Sequence, residues 1–448
     1  MKVSIIGAGY VGLVTGVCMA EKGHKVICMD VDQQKVNKIS RAIPPIYERG
    51  LEELLKRNIN VNLFATTDLY EAVMESEISL VTVGTPFKGN EINLIYIKEV
   101  SHQIGKILKN KPEYHLIVVK STVVPGTTDE IVRPIIEEAS CKKAGIDFGV
   151  GMNPEFLREG EAVEDFMFPD RIVLGADDTK SYEILEKLYK PFKGVDIIKT
   201  NNKTAEMIKY TSNTLLATMI SFSNEIANLC TALGNVDVVE VMRGVHLDKR
   251  LSPILSNGNR LVPDFTKYIE AGCGFGGSCF PKDVKALIAH GKKVGNPMRL
   301  LEAVIEINER QPYQVFCILK KEFKSLKGVR VAILGLAFKP GTDDMRESPA
   351  IPIIKELLME GAEINAYDPV AMNEAARILN SNNKIRYCYD IHQALENVKA
   401  VVLLTRWEEF RKIPDLLSKL DPQPILIDGR RMIEKKNVAE YRGIGISE

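Results

Sequence analysis

The first dozen residues constrain the fold more than any other stretch. An apolar run, KVSIIGAG, leads straight into GAGYVG, from Gly7 to Gly12, and a helical run, LVTGVCMAEKG, follows at once. Strand, glycine turn and helix in that order open a βαβ unit. The glycines permit the tight turn and let a pyrophosphate approach the helix amides. Standing alone, GxGxxG is weak evidence, and a glycine turn with no ligand is the competing reading. The next strand, HKVICMD, ends at Asp30, 18 residues after Gly12, about where a carboxylate should meet adenosine ribose hydroxyls. An Asp there repels a 2′-phosphate, so the cofactor expected is NAD rather than NADP. Lys35 could face the pyrophosphate or lie in solvent.

The same texture continues. ISLVTVGTP, HLIVVKST and DFGVGMNP are short runs rich in Val and Ile, with helical segments between several of them. Strands so uniformly apolar are buried on both faces of a parallel sheet. A weaker echo, VRVAILGLAFKPG, AEINAYDP, KAVVLLTRW and PILIDGR, lies near the C-terminus. The expected fold class is therefore α/β, with two doubly wound Rossmann-like domains over 1–200 and 319–448. Between them, 201–318 is expected to be a helical domain built on one long helix. From Thr204 to Gly234 the chain lacks Pro and internal Gly, and Met207, Ile208, Leu215, Leu216, Met219, Ile220, Ile226, Leu229 and Leu233 recur with helical period. Such a helix would run ~45 Å and offer a wide apolar stripe, either to a second subunit or to a core within one subunit.

Composition narrows the partners. Lys+Arg and Asp+Glu both number 59 over 448 residues, so no bulk positive field exists to hold nucleic acid or anionic lipid. No apolar stretch is long enough to span a bilayer, and no cleavable leader precedes the first strand. Eight scattered cysteines (18, 28, 141, 230, 273, 279, 317, 388), with no CxxC pair, argue against zinc and against a disulfide framework. They fit a reducing cytoplasm.

Polar residues at strand ends mark the ligand crevice of a doubly wound sheet: Thr85 in VGTP, Thr122 in KSTVVPG, and Glu155 and Glu159 in NPEFLREG. Each could equally be a turn or cap residue. Lys209 and Asn213 are four apart on the long helix and share a face. Lys209 could hold an oxyanion or ordered water there, or lie in solvent. The stretch GFGGSCFPKD, 274–283, sets Cys279 just outside a helix opening at Pro281. The helix N-terminus and nearby Lys282 favour a thiolate. Gly274, Gly276 and Gly277 would leave room for something to approach the backbone; a buried structural cysteine beside a tight turn is the alternative.

Taken together, GAGYVGLVTG, VGTP, KSTVVPGTT, NPEFLREG, AEMIKYTSN, GFGGSCFPKDV, AFKPGTDDMRESP, AYDP and DGRR resemble, in order and over essentially the whole chain, the NAD-dependent nucleotide-sugar 6-dehydrogenases of the UDP-glucose and GDP-mannose group. The resemblance implies oxidation of a sugar C6 hydroxymethyl to a carboxylate with two NAD, through a cysteine thiohemiacetal and thioester. It makes Cys279 the nucleophile and gives Lys209 the oxyanion, with Asp283 and Asn213 placing it or a water. Thr122 and Glu159 would position the hydrolytic water or take its proton. For the cofactor it implies Gly7, Gly9, Tyr10, Val11, Gly12, Asp30, Lys35, Thr85, Thr122, Glu159 and Arg346. For the sugar nucleotide it implies Glu155, Phe156, Leu157, Lys209, Asn213, Arg250, Tyr268, Gly274, Lys339 and Arg430, and for metal none. The implied substrate is UDP-glucose, in a homodimer or larger homo-oligomer. GDP-mannose or another UDP-hexose is the alternative, and a two-electron hydroxyacid-type dehydrogenase is more remote. GGSCFPKD, rather than the GGHCIPVDP expected of the branch for N-acetylated sugars, favours unacetylated hexoses. The stretch before the cysteine loop is several residues longer than the family's Asp-Pro-Arg-Ile-Gly turn, and Arg250 and Arg260 compete for the family arginine that enters a neighbouring site.

Overall fold

A computed structural model of the chain describes residues 1–88, 91–379 and 383–446. They divide into two compact units, Met1–Ser212 and Asn213–Glu448.

The first unit is built on an eight-stranded sheet. From one edge the strands run Asp196–Thr200, Arg171–Ala176, Phe148–Met152, His115–Val119, Ile78–Val81, Lys2–Ile6, Lys25–Met29 and Leu63–Thr66. Six are parallel, while Arg171–Ala176 meets Phe148–Met152 antiparallel and turns the last two strands the other way. Pairing runs outward from Lys2–Ile6 on both sides, Val3 facing Val26 and Ile78. Strand order therefore reverses beside the glycine turn, which is where a doubly wound sheet opens its ligand crevice. The five runs read as strands are strands, and the central ones are buried throughout. Asp196–Thr200, at the edge, is exposed along most of its length.

The second unit holds a six-stranded, wholly parallel sheet in the order Ile385–Tyr387, Glu363–Tyr367, Arg330–Leu334, Ala400–Leu403, Ile425–Asp428, Tyr441–Gly443. Its core joins Val331, Ile333, Ile364 and Val402 to Ala227, Met242 and Phe316 from helices. Two Rossmann-like sheets with helices between them in sequence are thus the architecture.

The long helix spans Asn202–Leu233, about 48 Å at 1.5 Å per residue. The division between units falls inside it, after Ser212. Tyr210 is fully buried, but beyond it the buried residues are small or polar, among them Ala217, Ser221, Asn224 and Ala227, while Leu215, Phe222, Leu229 and Leu233 are about half or more exposed. A core helix would bury its large residues; this one leaves a stripe of them outside.

Candidate active site

In the first unit, the glycine turn is fixed by its own backbone. Gly7, at φ +102°, donates its N–H to Met29 O at 2.8 Å. A Cβ on Gly12 would lie 1.8 Å from Gly7 O and 2.7 Å from Thr82 Oγ1, so no side chain fits there. A Cβ on Gly9 would meet nothing within 4 Å. The helix that follows, Tyr10–Glu21, has no side-chain cap and no acid in its first turn. Its first amides, with Val11 among them, are therefore left for an anionic ligand beside an open space. Asp30 ends the second strand. Its Oδ2 accepts from Ala8 N at 2.9 Å and its Oδ1 from Asp32 N at 3.0 Å, which leaves lone pairs for a diol. Lys35 Nζ stands 3.5 Å from Asp30 Oδ2. These residues fit NAD, with the pyrophosphate on the turn and the adenosine ribose at Asp30. Thr85 Oγ1 donates to Thr122 O at 2.8 Å, so it holds the Thr122 backbone.

The same unit buries an ion pair. Lys209 Nζ lies 3.0 Å from Glu155 Oε1, with side chains 5 % and 6 % exposed, and Glu155 Oε2 accepts from Leu157 N at 2.6 Å. Phe156 stacks under Arg171, 3.9 Å from ring centre to guanidinium, and sits 5.5 Å from Lys209 Nζ. Burial pushes the Glu155 carboxyl up, but Lys209, the Leu157 amide and Lys120 together pull it below its ordinary value. Lys209 therefore faces the protein interior, not solvent. Sequence reasoning missed Lys120, the buried cation at the end of HLIVVK. Its Nζ donates to Asn153 Oδ1 at 2.8 Å, and burial brings its pKa down to about 8 against the opposing pull of Glu155. A lysine closing a wholly apolar strand was the available signal. Glu206, also missed, accepts from Gly126 N, Thr128 N and Thr128 Oγ1 at 2.6–2.8 Å and so anchors the far side of the loop that carries Thr122.

In the second unit, Cys279 is the N-cap residue of the helix Phe280–Lys293, with Pro281 in the first turn. Cys279 O accepts from Asp283 N at 2.8 Å, and Ser278 Oγ lies 3.5 Å from Cys279 Sγ. Asp283 is 1 % exposed; it accepts from Asn213 Nδ2 and from Lys282 Nζ, each at 2.6 Å. Two corrections follow. Lys282 spends its charge on Asp283, so the helix terminus, rather than that lysine, is the feature bearing on the thiol. The glycines of the loop do not leave room for a ligand. A Cβ on Gly276 would lie 2.2 Å from Glu347 O, one on Gly277 2.7 Å from the Phe338 ring, and one on Gly274 2.9 Å from Asn308 Oδ1. Their missing side chains are filled by the protein's own packing.

Arg430 joins three backbone segments of this unit, donating to Gly274 O at 2.8 Å, Leu404 O at 2.6 Å and Phe338 O at 3.4 Å. Lys339 Nζ is 5.9 Å from the Phe338 ring. Tyr268 and Phe275 pack on Phe280 with ring centres 6.5 and 5.9 Å apart. Arg346 pairs with Asp344 at 2.7 Å and its carbonyl accepts from Gly277 N at 2.8 Å. The two arginines before the loop part company. Arg260 ties its own loop, donating to Leu247 O at 2.8 Å and Ser252 O at 2.7 Å. Arg250 is 88 % exposed and held on Asp248, on the rim of a groove of about 720 Å³ lined also by Val241, Gly244, Val245 and Leu251.

The chain matches three domains described for one family: the NAD binding domain of the UDP-glucose/GDP-mannose dehydrogenase family over residues 1–193, its central domain over 203–310 and its UDP binding domain over 332–435. The UDP-glucose 6-dehydrogenase TuaD of Bacillus subtilis is 43 % identical over 98 % of this chain and 92 % of its own length. The UDP-glucose 6-dehydrogenase AglM of Haloferax volcanii is 40 % identical over 99 % of this chain and 100 % of its own. Among solved structures, a UDP-glucose dehydrogenase from Pyrobaculum islandicum superposes with a TM-score of 0.89 at 37 % identity, covering 100 % of this chain and 98 % of that one. A cofactor turn suited to NAD, a cysteine capping a helix, and identity that runs through every domain give one conclusion: the chain belongs to the UDP-glucose/GDP-mannose dehydrogenase family.

Proposed function

We propose that the protein is a UDP-glucose 6-dehydrogenase that carries its substrate from alcohol to carboxylate on one cysteine. The observation that carries this is Cys279 at the N-cap of Phe280–Lys293, next to the buried Asn213–Asp283 pair. Bound NAD supplies the hydride acceptor for both oxidations. Cys279 Sγ adds to the C6 aldehyde, the S–C bond forms, and the carbonyl electrons move onto oxygen. After the second oxidation the carbon is a thioester. Water attacks it, the S–C bond breaks, and the acid leaves with the thiol regenerated. A helix N-terminus favours the anionic sulfur both as nucleophile and as leaving group. Lys209 stabilises negative charge on the C6 oxygen. Asn213 and Asp283, hydrogen-bonded to each other, order a water, while Thr122 and Glu159 direct the hydrolytic water and take its proton. Lys339, Arg430, Arg250, Tyr268, Phe156 and Leu157 are read as holding the sugar nucleotide, cations suiting its diphosphate. Glu155, spent on Lys209 and the Leu157 amide, serves by holding Lys209.

The relatives named as UDP-glucose 6-dehydrogenases support the hexose. The exposed Leu215–Phe222–Leu229 stripe, repeating every seven residues, supports a homodimer with a two-fold contact. None of the eight cysteines forms a disulfide, which suits the cytoplasm. The test is a panel of UDP-glucose, GDP-mannose, UDP-galactose and UDP-N-acetylmannosamine assayed for NADH. Two NADH per UDP-glucose, at a kcat/KM well above the others, is the expected result. One NADH per sugar, or preference for another nucleotide, would overturn the assignment.

A further inference from the structure

Three segments far apart in sequence meet at one buried carboxylate of the first unit. Tyr10 is the first residue of the helix that leaves the glycine turn. Its hydroxyl donates to Glu48 Oε2 and accepts from Gly160 N at 3.1 Å. Glu48, 7 % exposed, also accepts from Gly160 N at 2.7 Å and, through Oε1, from Ala162 N at 3.0 Å. Ala162 opens a helix, Ala162–Met167, that has no side-chain cap of its own nearby; Glu48 supplies the acceptor from 114 residues away.

Glu159 lies between two clamps. On its N-terminal side Arg158 N donates to Asp165 Oδ2 at 2.8 Å. On its C-terminal side Gly160, in the left-handed region at φ +85°, hangs on Glu48 and Tyr10. The first clamp ties the loop to the helix Ala162–Met167 that follows it. The second reaches the glycine turn, because Tyr10 supplies a first-turn amide there and its ring carries the hydroxyl to Glu48. Whatever fixes that turn fixes the acceptors of Gly160. Burial, reinforced by Glu48, raises the Tyr10 hydroxyl pKa well above its ordinary value, so it stays a donor.

We propose that Tyr10 and Glu48 are positioning residues that couple occupancy of the glycine turn to the placement of Glu159. This rests on the reading in which Glu159 serves hydrolysis. Each oxidation needs a fresh cofactor, and hydrolysis before the second one would find no thioester. A link that stiffens when the turn is occupied ties the placement of Glu159 to cofactor binding.

The test uses Tyr10→Phe, which removes one oxygen and keeps the ring, with Glu48→Gln as the second variant. Hydrogen exchange of the 158–163 amides is followed with and without NAD, and NAD affinity is measured by calorimetry. NAD should raise protection there at least fivefold in the parent protein and less than twofold in Tyr10→Phe, although the variant still binds NAD. Equal gains in parent and variants, or no gain in the parent, would overturn the proposal; a structural tie alone would lower protection equally with and without NAD. In turnover, Tyr10→Phe should cost about three- to tenfold, the range of one lost hydrogen bond, and nothing further in a Glu159→Gln background. Multiplying effects would overturn the link alone. A Glu159→Gln variant with unchanged turnover would overturn the role of Glu159 and the link with it.

Discussion

Lys209→Met separates what the buried pair does for stability from what the lysine does for catalysis. The wild-type ammonium and the Glu155 carboxylate are 3.0 Å apart and almost wholly out of water. Removing one partner of such a pair leaves a buried charge and typically costs about 3–5 kcal/mol. Lys120 remains as a second cation acting on Glu155, and Leu157 N still donates to it, so the low end, about 3 kcal/mol, applies. For a unit of this size, Met1–Ser212, that is a fall of about 6–12 °C in thermal midpoint at 2–4 °C per kcal/mol. The pH dependence follows from the sign of the Glu155 shift. In the wild type the folded carboxyl is held below its ordinary value, so its contribution is present above the unfolded pKa, roughly 4.3, and is lost as pH falls through the folded value. Without Lys209, burial is the larger influence and the carboxyl rises. The variant's folded state then binds a proton on acidification more readily than the wild type's does, and the deficit narrows as pH falls. Calorimetry at pH 8 and pH 5.5 measures both midpoints. Turnover should fall ~10²–10³-fold, as for loss of one oxyanion donor, with NAD affinity retained. A variant as stable as wild type at pH 8, or a deficit that widens toward pH 5.5, would refute the electrostatic account.

Three further outcomes are expected. Gly12→Ala forces a Cβ to within 1.8 Å of Gly7 O and should weaken NAD binding at least ~100-fold, the turn being the anion site; unchanged affinity by fluorescence titration would contradict the cradle. Phe222→Asp puts a charge in the exposed stripe and should give monomers at micromolar concentration by light scattering; a persistent dimer would place the contact elsewhere. Cys279→Ser should lose most turnover and accumulate a sugar ester visible by intact mass, whereas Cys279→Ala should show no adduct. Two NADH per sugar at the wild-type rate from the alanine variant would end the covalent mechanism.

The apolar strands were legible because burial on both faces leaves no alternation to misread, and the glycine turn because its steric demand at Gly12 admits one residue type. The edge strands Asp196–Thr200 and Tyr441–Gly443 were not, since an edge needs fewer apolar residues and borrows its register from a neighbour. Cys279 and Asp283 were visible through local chemistry, a cap and a first helical turn. The loop glycines 274, 276 and 277 were misjudged because their partners, Asn308, Glu347 and Phe338, lie 34 to 71 positions on. Glu48, in IYERGL, carried no signal of its own; a carboxylate that accepts from Tyr10, Gly160 and Ala162 is defined only by contacts distant in sequence, two of them more than a hundred residues away.

The two Rossmann-like sheets show how one scaffold gives two chemistries from the same letter. Both second strands end in Asp, Asp30 and Asp368, and both first strands end in a left-handed glycine, Gly7 at φ +102° and Gly335 at φ +93°. Each glycine donates to the residue before its Asp: Gly7 N to Met29 O at 2.8 Å, and Gly335 N to Tyr367 O at 2.9 Å. Asp30 accepts two backbone amides and stands at 3.5 Å from one lysine. Asp368 accepts from Leu336 N, Ala337 N and Trp407 Nε1 on Oδ2, and from Val370 N and Ala371 N on Oδ1. A carboxylate has about four lone-pair sites, so Asp368 is saturated. It cannot offer a ribose diol what Asp30 can. The second sheet kept the fold of a dinucleotide site and spent its ribose-facing acid on closing the turn. A nucleotide bound to that unit must therefore be held by other groups, and Lys339 and Arg430 are the cations that the sequence resemblance assigns there.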